Sequence, residues 1–559
     1  MTAMLIRSAV CVMAAALVAG CGRQTPAPAA AKAPLCQNLG SHHVAITTAS
    51  PEAQRYFDQG MTLAYAFNHG EAIRAFRQGA AIDPRCAMCY WGVAFSLGPN
   101  INAPITEEAA RDAFAAIAQA RQYAAGATDR ERGFIEALAT RYAADPRAER
   151  APLDAAYAAA MRDLARRFPA DNDAVTLFAQ SLMDTSPWNY WTVDGQPRPL
   201  TPEVLAALES VLARNPDHLG AIHLYIHAVE ASPNVARAEQ YAGRLAALAP
   251  GAGHLVHMPS HVYLRTGRYD AASESNENAI KADAAYAAGD AAPGNMTYQV
   301  GYIPHNFHFL VTTASMEGRA AEAVRAAGEV RARMHTAMFR DPGMGGMVQH
   351  MWLTPLFTNV RFARWVDVLA EPAPPVDLPY MSAVSHAARG FALVALKRLD
   401  EAERERGALA AIKNDPALKT LYVLSVNTAA RIVAIADELL AGELDAVRGY
   451  APLAVNHLTQ AVRLEDQLIY MEPPDWPIPA RQMQGAVLLE LGLYAEAEQA
   501  FIDDMKKFPE NGWSLSGLQA IFERQARVPE AAALKTRLQA AWRRADVAVA
   551  GARAGRNLE

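Results

Sequence analysis

The chain has 559 residues, of which 52% are hydrophobic and 20% are charged, as in a soluble globular protein with an ample core. Alanine dominates the apolar residues and alternation of Val, Ile and Thr is scarce, so we expect helices to prevail. The formal net charge of -6 and the lack of a basic stripe argue against nucleic acid as a partner.

The first 20 residues are typical of a targeting segment. Arg7 supplies a positive charge, and Ser8 to Val18 form an apolar stretch too short to span a bilayer. The sequence VAGC that ends at Cys21 resembles the bacterial lipobox, which implies cleavage after residue 20 and lipidation of Cys21. A plain secretory signal followed by an incidental cysteine is the alternative interpretation.

Residues 21–50 are predicted to be the lipidated cysteine and a tether, because residues 25–34 (TPAPAAAKAP) are rich in proline and alanine. Lipid chains on Cys21 would make a membrane one partner of the protein. Gly22, rather than aspartate, follows the cysteine, which favours the outer membrane of a Gram-negative bacterium. The folded part would then face the periplasm.

Three further cysteines bear on this oxidising compartment. Cys86 and Cys89 form a C-x-x-C motif, but no histidine follows it as in a haem-attachment motif. A disulfide between Cys36 and one of this pair is one expectation. A metal or redox role for the pair, or simple burial of both in a helix core, are the alternatives.

Several segments share a pattern of small and aromatic residues around a turn. Residues 57–84 read F-x-x-G-x-x-L-x-x-A and end in Asp-Pro, residues 264–272 read LRTGRYDAA, and residues 485–509 contain LLELGLYAEAEQAF. These segments resemble tetratricopeptide repeats of about 34 residues. The resemblance implies an all-α solenoid of helix-turn-helix units that forms a right-handed superhelix, and it does not by itself indicate a function.

Prolines and glycines interrupt this pattern. A Pro-rich linker at residues 371–380 would divide an N-terminal array, residues 51–370, from a C-terminal array, residues 381–559; a single continuous solenoid is equally allowed. Residues 184–202 cannot be a helix, since they contain four prolines and a glycine. Residues 288–302 form a second insertion, which we expect to be a lid or wall over the groove.

The histidines carry the strongest functional pattern. The pair His223 and His227 is followed 34 residues later by the pair His257 and His261. In the repeat register, His254, His305 and His308 fall on the same face, the one that lines the concave groove in tetratricopeptide proteins. The sequence therefore predicts that seven imidazoles from three successive helices converge. Pro259 should kink the helix that carries the second pair.

Neutral imidazole is the commonest protein ligand for transition metals, and histidines four residues apart on a helix present two nitrogens to one ion. With no thiolate in the stripe, zinc or copper is favoured over iron. Glu230 is a candidate third ligand or, in an enzyme, a general base. Carboxylate or amide partners for the outer ring nitrogens are expected among Glu230, Asn276, Asn278 and Asp283.

Alternatives to a metal centre remain open. A non-enzymatic scaffold would use the groove to hold a peptide or protein partner in the cell envelope, and inter-helix hydrogen bonds among the histidines would be purely structural. The glutamate of the H-E-x-x-H motif is absent, so a metalloprotease helix is not supported.

Aromatic residues form a second candidate feature. Trp188, Tyr190 and Trp191 either cap the core of the solenoid or form one side of a ligand pocket for a ring or sugar. The proline-rich elbow at residues 472–479 would approach the groove if the superhelix closes on itself. Four other histidines are interpreted as structural: His69, His350, His386 and His457.

Overall fold

The computed structural model describes residues 33–288, 295, 297–424 and 426–546. The targeting segment, Cys21 and the tether as far as residue 32 lie outside the described residues, so their predicted roles stay predictions. Among the described helices, none is both long enough and apolar enough to cross a membrane.

The first half of the chain is a succession of helices, most of them between 11 and 18 residues long. They are α1 (Pro51–Tyr65), α2 (His69–Ile82), α3 (Ala87–Leu97), α4 (Glu107–Tyr123), α5 (Asp129–Ala139), α6 (Arg150–Arg167), α7 (Asn172–Met183), α8 (Thr201–Arg214), α9 (Leu219–Val229), α10 (Glu239–Ala242), α11 (Leu245–Leu248), α12 (Gly253–His257), α13 (Pro259–Arg265) and α14 (Tyr269–Ala288).

After a short π-helical turn at Tyr298–Tyr302, the second half continues in the same way. Its helices are α15 (Ile303–Met316), α16 (Ala320–Ala332), α17 (Gly345–Trp352), α18 (Thr354–Arg361), α19 (Trp365–Ala370), α20 (Pro379–Ala395), α21 (Leu399–Ile412), α22 (Ala417–Thr420), α23 (Ala429–Val447), α24 (Ala451–Asp466), α25 (Ala480–Glu490), α26 (Tyr494–Lys507), α27 (Gly512–Arg524) and α28 (Val528–Ala541). Strands β1 (Tyr422–Val423) and β2 (Asn427–Thr428) form one short antiparallel ladder.

The sequence pattern explains the helix pairs. Gly267 adopts a φ of +77° at the turn between α13 and α14, a conformation that favours glycine. Gly60 lets α1 and α2 approach closely, because a Cβ atom there would lie 2.5 Å from the ring of Phe76. Consecutive helices pack as pairs joined by such short turns. The predicted all-α solenoid of helix-turn-helix units is confirmed.

Helices on both sides of residues 371–380 contribute to one hydrophobic core. Trp365 in α19 precedes this segment and Met381 in α20 follows it, and both belong to a buried cluster that extends from Phe307 to Val487. A separate cluster, from Leu39 to Tyr302, fills the N-terminal half. The groove histidines lie near the boundary between these two cores.

Early and late helices of the described chain both contact its middle. The hydroxyl of Tyr286 donates to Glu71 Oε1 at 2.9 Å, which links α14 to α2. From the other end, Trp513 Nε1 donates to the backbone oxygen of Ser315 at 2.9 Å. The array therefore curls so that α9 to α15 are enclosed by earlier and later repeats, which explains why their polar side chains are buried.

The described part of the predicted tether, residues 33–50, packs against the folded body. The hydroxyl of Tyr56 donates to the backbone oxygen of Ala33 at 2.7 Å, and the N–H of Gly251 donates to the backbone oxygen of Asn38 at 2.7 Å. These bonds hold an extended segment across α1 and α11, so any free tether within residues 21–50 lies before residue 33.

The disulfide expectation is wrong in its partners. Cys86 and Cys89 are bonded to each other at the start of α3, and both are fully buried. Cys36 is a free, exposed cysteine. The single turn of helix between Cys86 and Cys89 brings their Cα atoms to 5.4 Å, the usual separation for a disulfide, and nothing comparable brings Cys36 to either of them.

Candidate metal centre

Helix α9 carries the first histidine pair into the interior. Every residue of Leu219–Val229 is buried, so its polar side chains face neighbouring helices. His218 caps the helix, since its Nδ1 accepts a hydrogen bond from the N–H of Ala221 at 3.1 Å. His223 and His227 lie one turn apart, and their Nε2 atoms are 3.0 Å apart.

A third imidazole completes this group. His254 lies at the start of α12, and its Nε2 is 3.2 Å from the Nε2 of His223. One ligand nitrogen from each of the three residues lies within 4.8 Å of the other two, and all three side chains are buried. We call this group the first triad: His223, His227 and His254.

The arrangement is repeated beside it. The Nε2 atoms of His257 and His261 are 2.8 Å apart across the junction of α12 and α13. His305, in the first turn of α15, adds a nitrogen within 4.8 Å of both. We call this group the second triad: His257, His261 and His305. The two triads are adjacent, because the ring centroids of His227 and His261 are 5.5 Å apart.

The predicted kink at Pro259 is present as the break between α12 and α13. Proline has no N–H to donate, and the N–H of His261 bonds to the oxygen of Met258 at 3.2 Å, a tighter turn than an α-helix. Met258 keeps helical angles, with φ -52° and ψ -35°. The break therefore tightens the helix locally and leaves the spacing of the second pair intact.

The outer ring nitrogens are held by groups that only accept hydrogen bonds. His223 Nδ1 lies 2.5 Å from the backbone oxygen of Tyr65. His257 Nδ1 lies 2.7 Å from Asn276 Oδ1, and the amide nitrogen of Asn276 is itself used on the oxygen of Ala272. Each of these Nδ1 atoms must carry the proton, so each Nε2 presents a lone pair.

Carboxylates fix the other member of each pair. His227 Nδ1 is 3.1 Å from Glu230 Oε1. His261 Nδ1 is 2.5 Å from Glu230 Oε2 and 3.0 Å from Glu472 Oε2. These nitrogens also carry protons, so when the imidazoles are neutral the Nε2 lone pairs of His227 and His261 point at those of their helix neighbours. Two lone pairs about 3 Å apart repel each other unless a cation lies between them.

Glu230 joins the two triads through one carboxylate. Its two oxygens lie against ring nitrogens of His227 and His261, one from each triad, and the residue is 1% exposed. A carboxylate held in this way orients imidazoles, and it is not placed as the general base predicted from the sequence. Glu472, from the proline-rich elbow, was not predicted as a site residue, although the sequence indicated that the elbow would reach the groove if the array closed.

Burial sets the charge of most of these imidazoles. It lowers the pKa of three of them well below the ordinary histidine value: His223, His254 and His257. Burial also lowers the pKa of His227, and lowers that of His305 to about 3. All five are therefore neutral at pH 7, the form that binds a metal ion.

His261 is the exception among these imidazoles, because two glutamates lie beside it. Burial acts to lower the pKa of His261, but Glu230 and Glu472 together raise it to about 10. Burial acts to raise the pKa of Glu230, but His261 and His227 lower it to about 2. His261 is therefore an imidazolium between two carboxyl groups unless a metal ion binds its Nε2. A bound cation would replace the second proton of this imidazolium and balance the charge of the carboxylates.

Among the sequence-predicted outer partners, Glu230 and Asn276 bond to triad histidines, and the other two do not. Asn278 is exposed and bonds to Lys281. Asp283 is buried, but it accepts hydrogen bonds from Tyr298 and Asn306 instead, at 2.8 and 2.7 Å. Asp283 therefore supports the wall of the centre and does not bond to an imidazole.

His308 lies outside both triads, which corrects the prediction that it shares their groove. Its ring packs against that of His350 in α17, with centroids 5.9 Å apart. The reason is geometric, since three residues along α15 rotate His308 by about 60° from the line of His305. His350, interpreted as structural, bonds through Nδ1 to the hydroxyl of Tyr380 at 2.7 Å.

Aromatic rings enclose the first triad. Phe67 lies 4.4 Å from the ring of His223 and is stacked on those of His227 and His254. Tyr302, from the insertion predicted to be a lid or wall, lies 4.8 Å from the ring of His254. The described part of that insertion therefore does form a wall, and it excludes water from this side of the centre.

The predicted aromatic pocket is present in part. Trp188 and Trp191 line a cavity of about 280 Å³, together with residues of the proline-rich elbow. Tyr190 does not line this cavity: it is buried, and its hydroxyl bonds to the oxygen of Met183 at 3.4 Å. Trp188 also contacts the centre, because its ring meets that of His227 edge-on at 5.2 Å.

A second histidine group was missed in the sequence. His42 and His218 both approach Asp173 Oδ1, at 3.2 and 3.3 Å, and Tyr65 donates to the same oxygen at 2.8 Å. Burial acts to raise the pKa of Asp173, but the two histidines lower it. This group links residues 33–50 to α1, α7 and α9. Each ring nitrogen that faces the carboxylate of Asp173 already makes a hydrogen bond to it.

Comparison with known proteins assigns no family to the chain and finds weak structural likenesses. No family model and no curated protein matches the chain. Solved structures similar to it include the human IFIT1 dimer with PPP-AAAA (12% identity, TM-score 0.32, 89% of this chain and 92% of that one) and yeast Tom70 (10%, 0.28, 88% and 93%). The Cut9-Hcn1 hetero-tetramer of the APC/C is also similar (12%, 0.30, 89% and 76%). Likenesses this weak say nothing about what the present chain binds.

Proposed function

We propose that this chain binds two transition-metal ions, one in each histidine triad, with Glu230 orienting a ligand of both. The helix-pair fold suits a scaffold for protein interaction, and the centre is built inside it. Each ion would be held by three imidazole nitrogens: those of His223, His227 and His254 in one site and those of His257, His261 and His305 in the other.

The observation that carries the proposal is that the Nε2 atoms of the histidines in each helix pair face each other. In each helix pair the Nδ1 proton is fixed by an acceptor, and the two Nε2 atoms face each other at 3.0 or 2.8 Å. Two nitrogens at about 2.0–2.1 Å from a tetrahedral zinc ion lie about 3.3 Å apart. The facing nitrogens are therefore spaced approximately as two ligands of one ion would be.

The ligand set favours copper or zinc. Both triads are nitrogen-only, and among the described cysteines Cys86 and Cys89 are paired with each other while Cys36 is exposed. Three protein ligands leave a coordination position open, as in catalytic sites, so a metal there would supply activation of water or oxygen if the centre is catalytic. The chain's own residues then exclude solvent and hold the ligands.

A peptide-binding groove is less well supported at these residues. A peptide would have to contact exposed side chains, but five of the six triad histidines are at most 2% exposed. Imidazoles, carboxylates and aromatic rings occupy the concave side of the curled array. A protein partner, if there is one, would bind another surface of the solenoid.

Metal titration of the full chain tests the proposal. We expect the protein, stripped with a chelator and incubated with Cu²⁺ or Zn²⁺, to retain two ions per chain after desalting, measured by elemental analysis. A variant with both His223→Ala and His257→Ala should retain none while keeping its helical circular dichroism. A folded wild-type protein that stays metal-free with copper, zinc and iron would exclude the proposal.

We also propose that the protein is lipid-anchored through Cys21 and faces the periplasm, most simply at the outer membrane. The lipobox-like VAGC sequence and the residue that follows it support this. Radiolabelled palmitate should be incorporated into the wild-type chain in bacterial cells, and Cys21→Ser should abolish the label and release the protein into the soluble periplasmic fraction. Equal labelling of both would contradict the anchor; Cys36→Ser serves as the control and should keep it.

A further inference from the structure

The cavity beside the metal centre has the features of a ligand site. It lies between the loop at residues 184–202 and the segment 470–476, and we call it the elbow cavity. Its volume of about 280 Å³ is near the lower end for small-molecule pockets, which suits a molecule with a single ring.

Aromatic side chains form its walls. Four aromatic residues line it: Trp188, Trp191, Tyr470 and Trp476. Trp191 is fixed by a hydrogen bond from its Nε1 to the oxygen of Ala228 at 2.7 Å. Indole faces held in this way bind planar rings and organic cations.

Buried polar atoms in the same lining lack a partner. Glu472 Oε1, Asp475 Oδ1 and Trp476 Nε1 have no hydrogen-bond partner among the described residues. The three side chains are at most 5% exposed. Leaving such atoms unpaired destabilises the fold, so a site of this kind is suited to receive polar groups. Two of the three atoms are carboxylate oxygens, which require donors.

We propose that the elbow cavity binds a small aromatic molecule that carries hydroxyl or ammonium groups. The ring would lie between the tryptophans, and its donors would meet the oxygens of Glu472 and Asp475. The two acidic groups favour such a ligand over an aromatic carboxylate, since like charges repel in a buried site.

The cavity is connected to the metal centre through Glu472. One carboxylate oxygen of Glu472 lies 3.0 Å from His261 Nδ1, and the residue lines the cavity with its other oxygen free. Arg265, another lining residue, donates to the backbone oxygen of Glu230 at 2.7 Å. The ligand's place beside a metal rests on the function proposed above, whereas its binding to the cavity does not.

Binding of tyramine to the metal-free full chain tests the inference, with benzoate and glucose as comparison probes. We expect tyramine to bind with one-to-one stoichiometry in isothermal titration calorimetry, and benzoate and glucose to bind at least tenfold more weakly. Trp188→Ala and Glu472→Gln should each weaken tyramine binding about tenfold, consistent with the loss of about 1.4 kcal/mol. Trp352→Ala, a partly buried tryptophan outside the cavity, should leave the affinity within twofold.

The outcomes separate this inference from the metal proposal. Tyramine binding lost in Trp188→Ala, with two ions per chain still retained, would establish the ligand site alone. Glucose binding more tightly than tyramine, benzoate binding equally well, or no binding of tyramine to a folded wild-type chain would each overturn the inference. Full tyramine affinity in both Trp188→Ala and Glu472→Gln would overturn it as well.

Discussion

Replacing His223 with alanine is expected to remove one of the two bound ions and to leave the other in place. His223 is the member of the first triad whose Nε2 lies within 3.2 Å of both other Nε2 atoms. Without it, two imidazoles remain, which is too few for a stable site in competition with a chelator. The second triad keeps all its nitrogens and their outer partners, so its ion should be retained.

The reciprocal change, His257→Ala, should remove the ion of the second triad and leave the ion of the first triad in place. Elemental analysis after desalting should therefore give about one ion per chain for each single variant. His386→Ala is the matched control, because His386 pairs with Glu405 at 2.6 Å in α20 and α21, away from the triads. Loss of both ions in one single variant, or loss of none, would contradict two separate three-imidazole sites.

Replacing Glu230 with alanine should weaken both sites at once. Its carboxylate holds the Nδ1 atoms of His227 and His261, which belong to different triads. Removing a partner of this kind typically lowers metal affinity 10–100-fold. Competition titration with a coloured chelator should show a loss in this range for each of the two ions.

Two variants control this prediction. Glu405→Ala removes a carboxylate from the remote histidine His386 and should leave both affinities unchanged. Glu230→Gln keeps one carbonyl oxygen to accept a hydrogen bond and should lower the affinity of one site more than that of the other. If Glu230→Ala alters only one site, the carboxylate does not link the triads as described.

The helix-pair fold was predictable because its determinants are local. Glycine at a turn and small residues opposite an aromatic ring, as at Gly267 and Gly60, specify a helix pair within about 34 residues. The lipobox-like segment is equally local, but it lies outside the described residues.

The part of the candidate site that follows the 34-residue repeat was predictable from the sequence. The 34-residue offset between His223 and His257 placed two pairs at matched positions, and both pairs converge as expected. His305 follows from the next repeat. His308 does not, because a rotation of about 60° on a helix decides which neighbour a buried side chain meets, and the pattern alone does not fix that rotation.

The remaining features depend on how the array closes. Glu472 lies 211 residues after His261, and no local pattern states that the two will meet. The same holds for Phe67, which reaches the first triad from the turn between α1 and α2. Contacts of this range follow from the summed curvature of many repeats, which single-sequence patterns do not determine.

Anomalous diffraction from crystals of the copper- or zinc-loaded protein tests the central claim most directly. We predict two anomalous peaks, one within about 2.0–2.1 Å of nitrogens of His223, His227 and His254, and the other at the same distance from nitrogens of His257, His261 and His305. A single peak shared by both triads, or peaks only at surface carboxylates, would contradict the account.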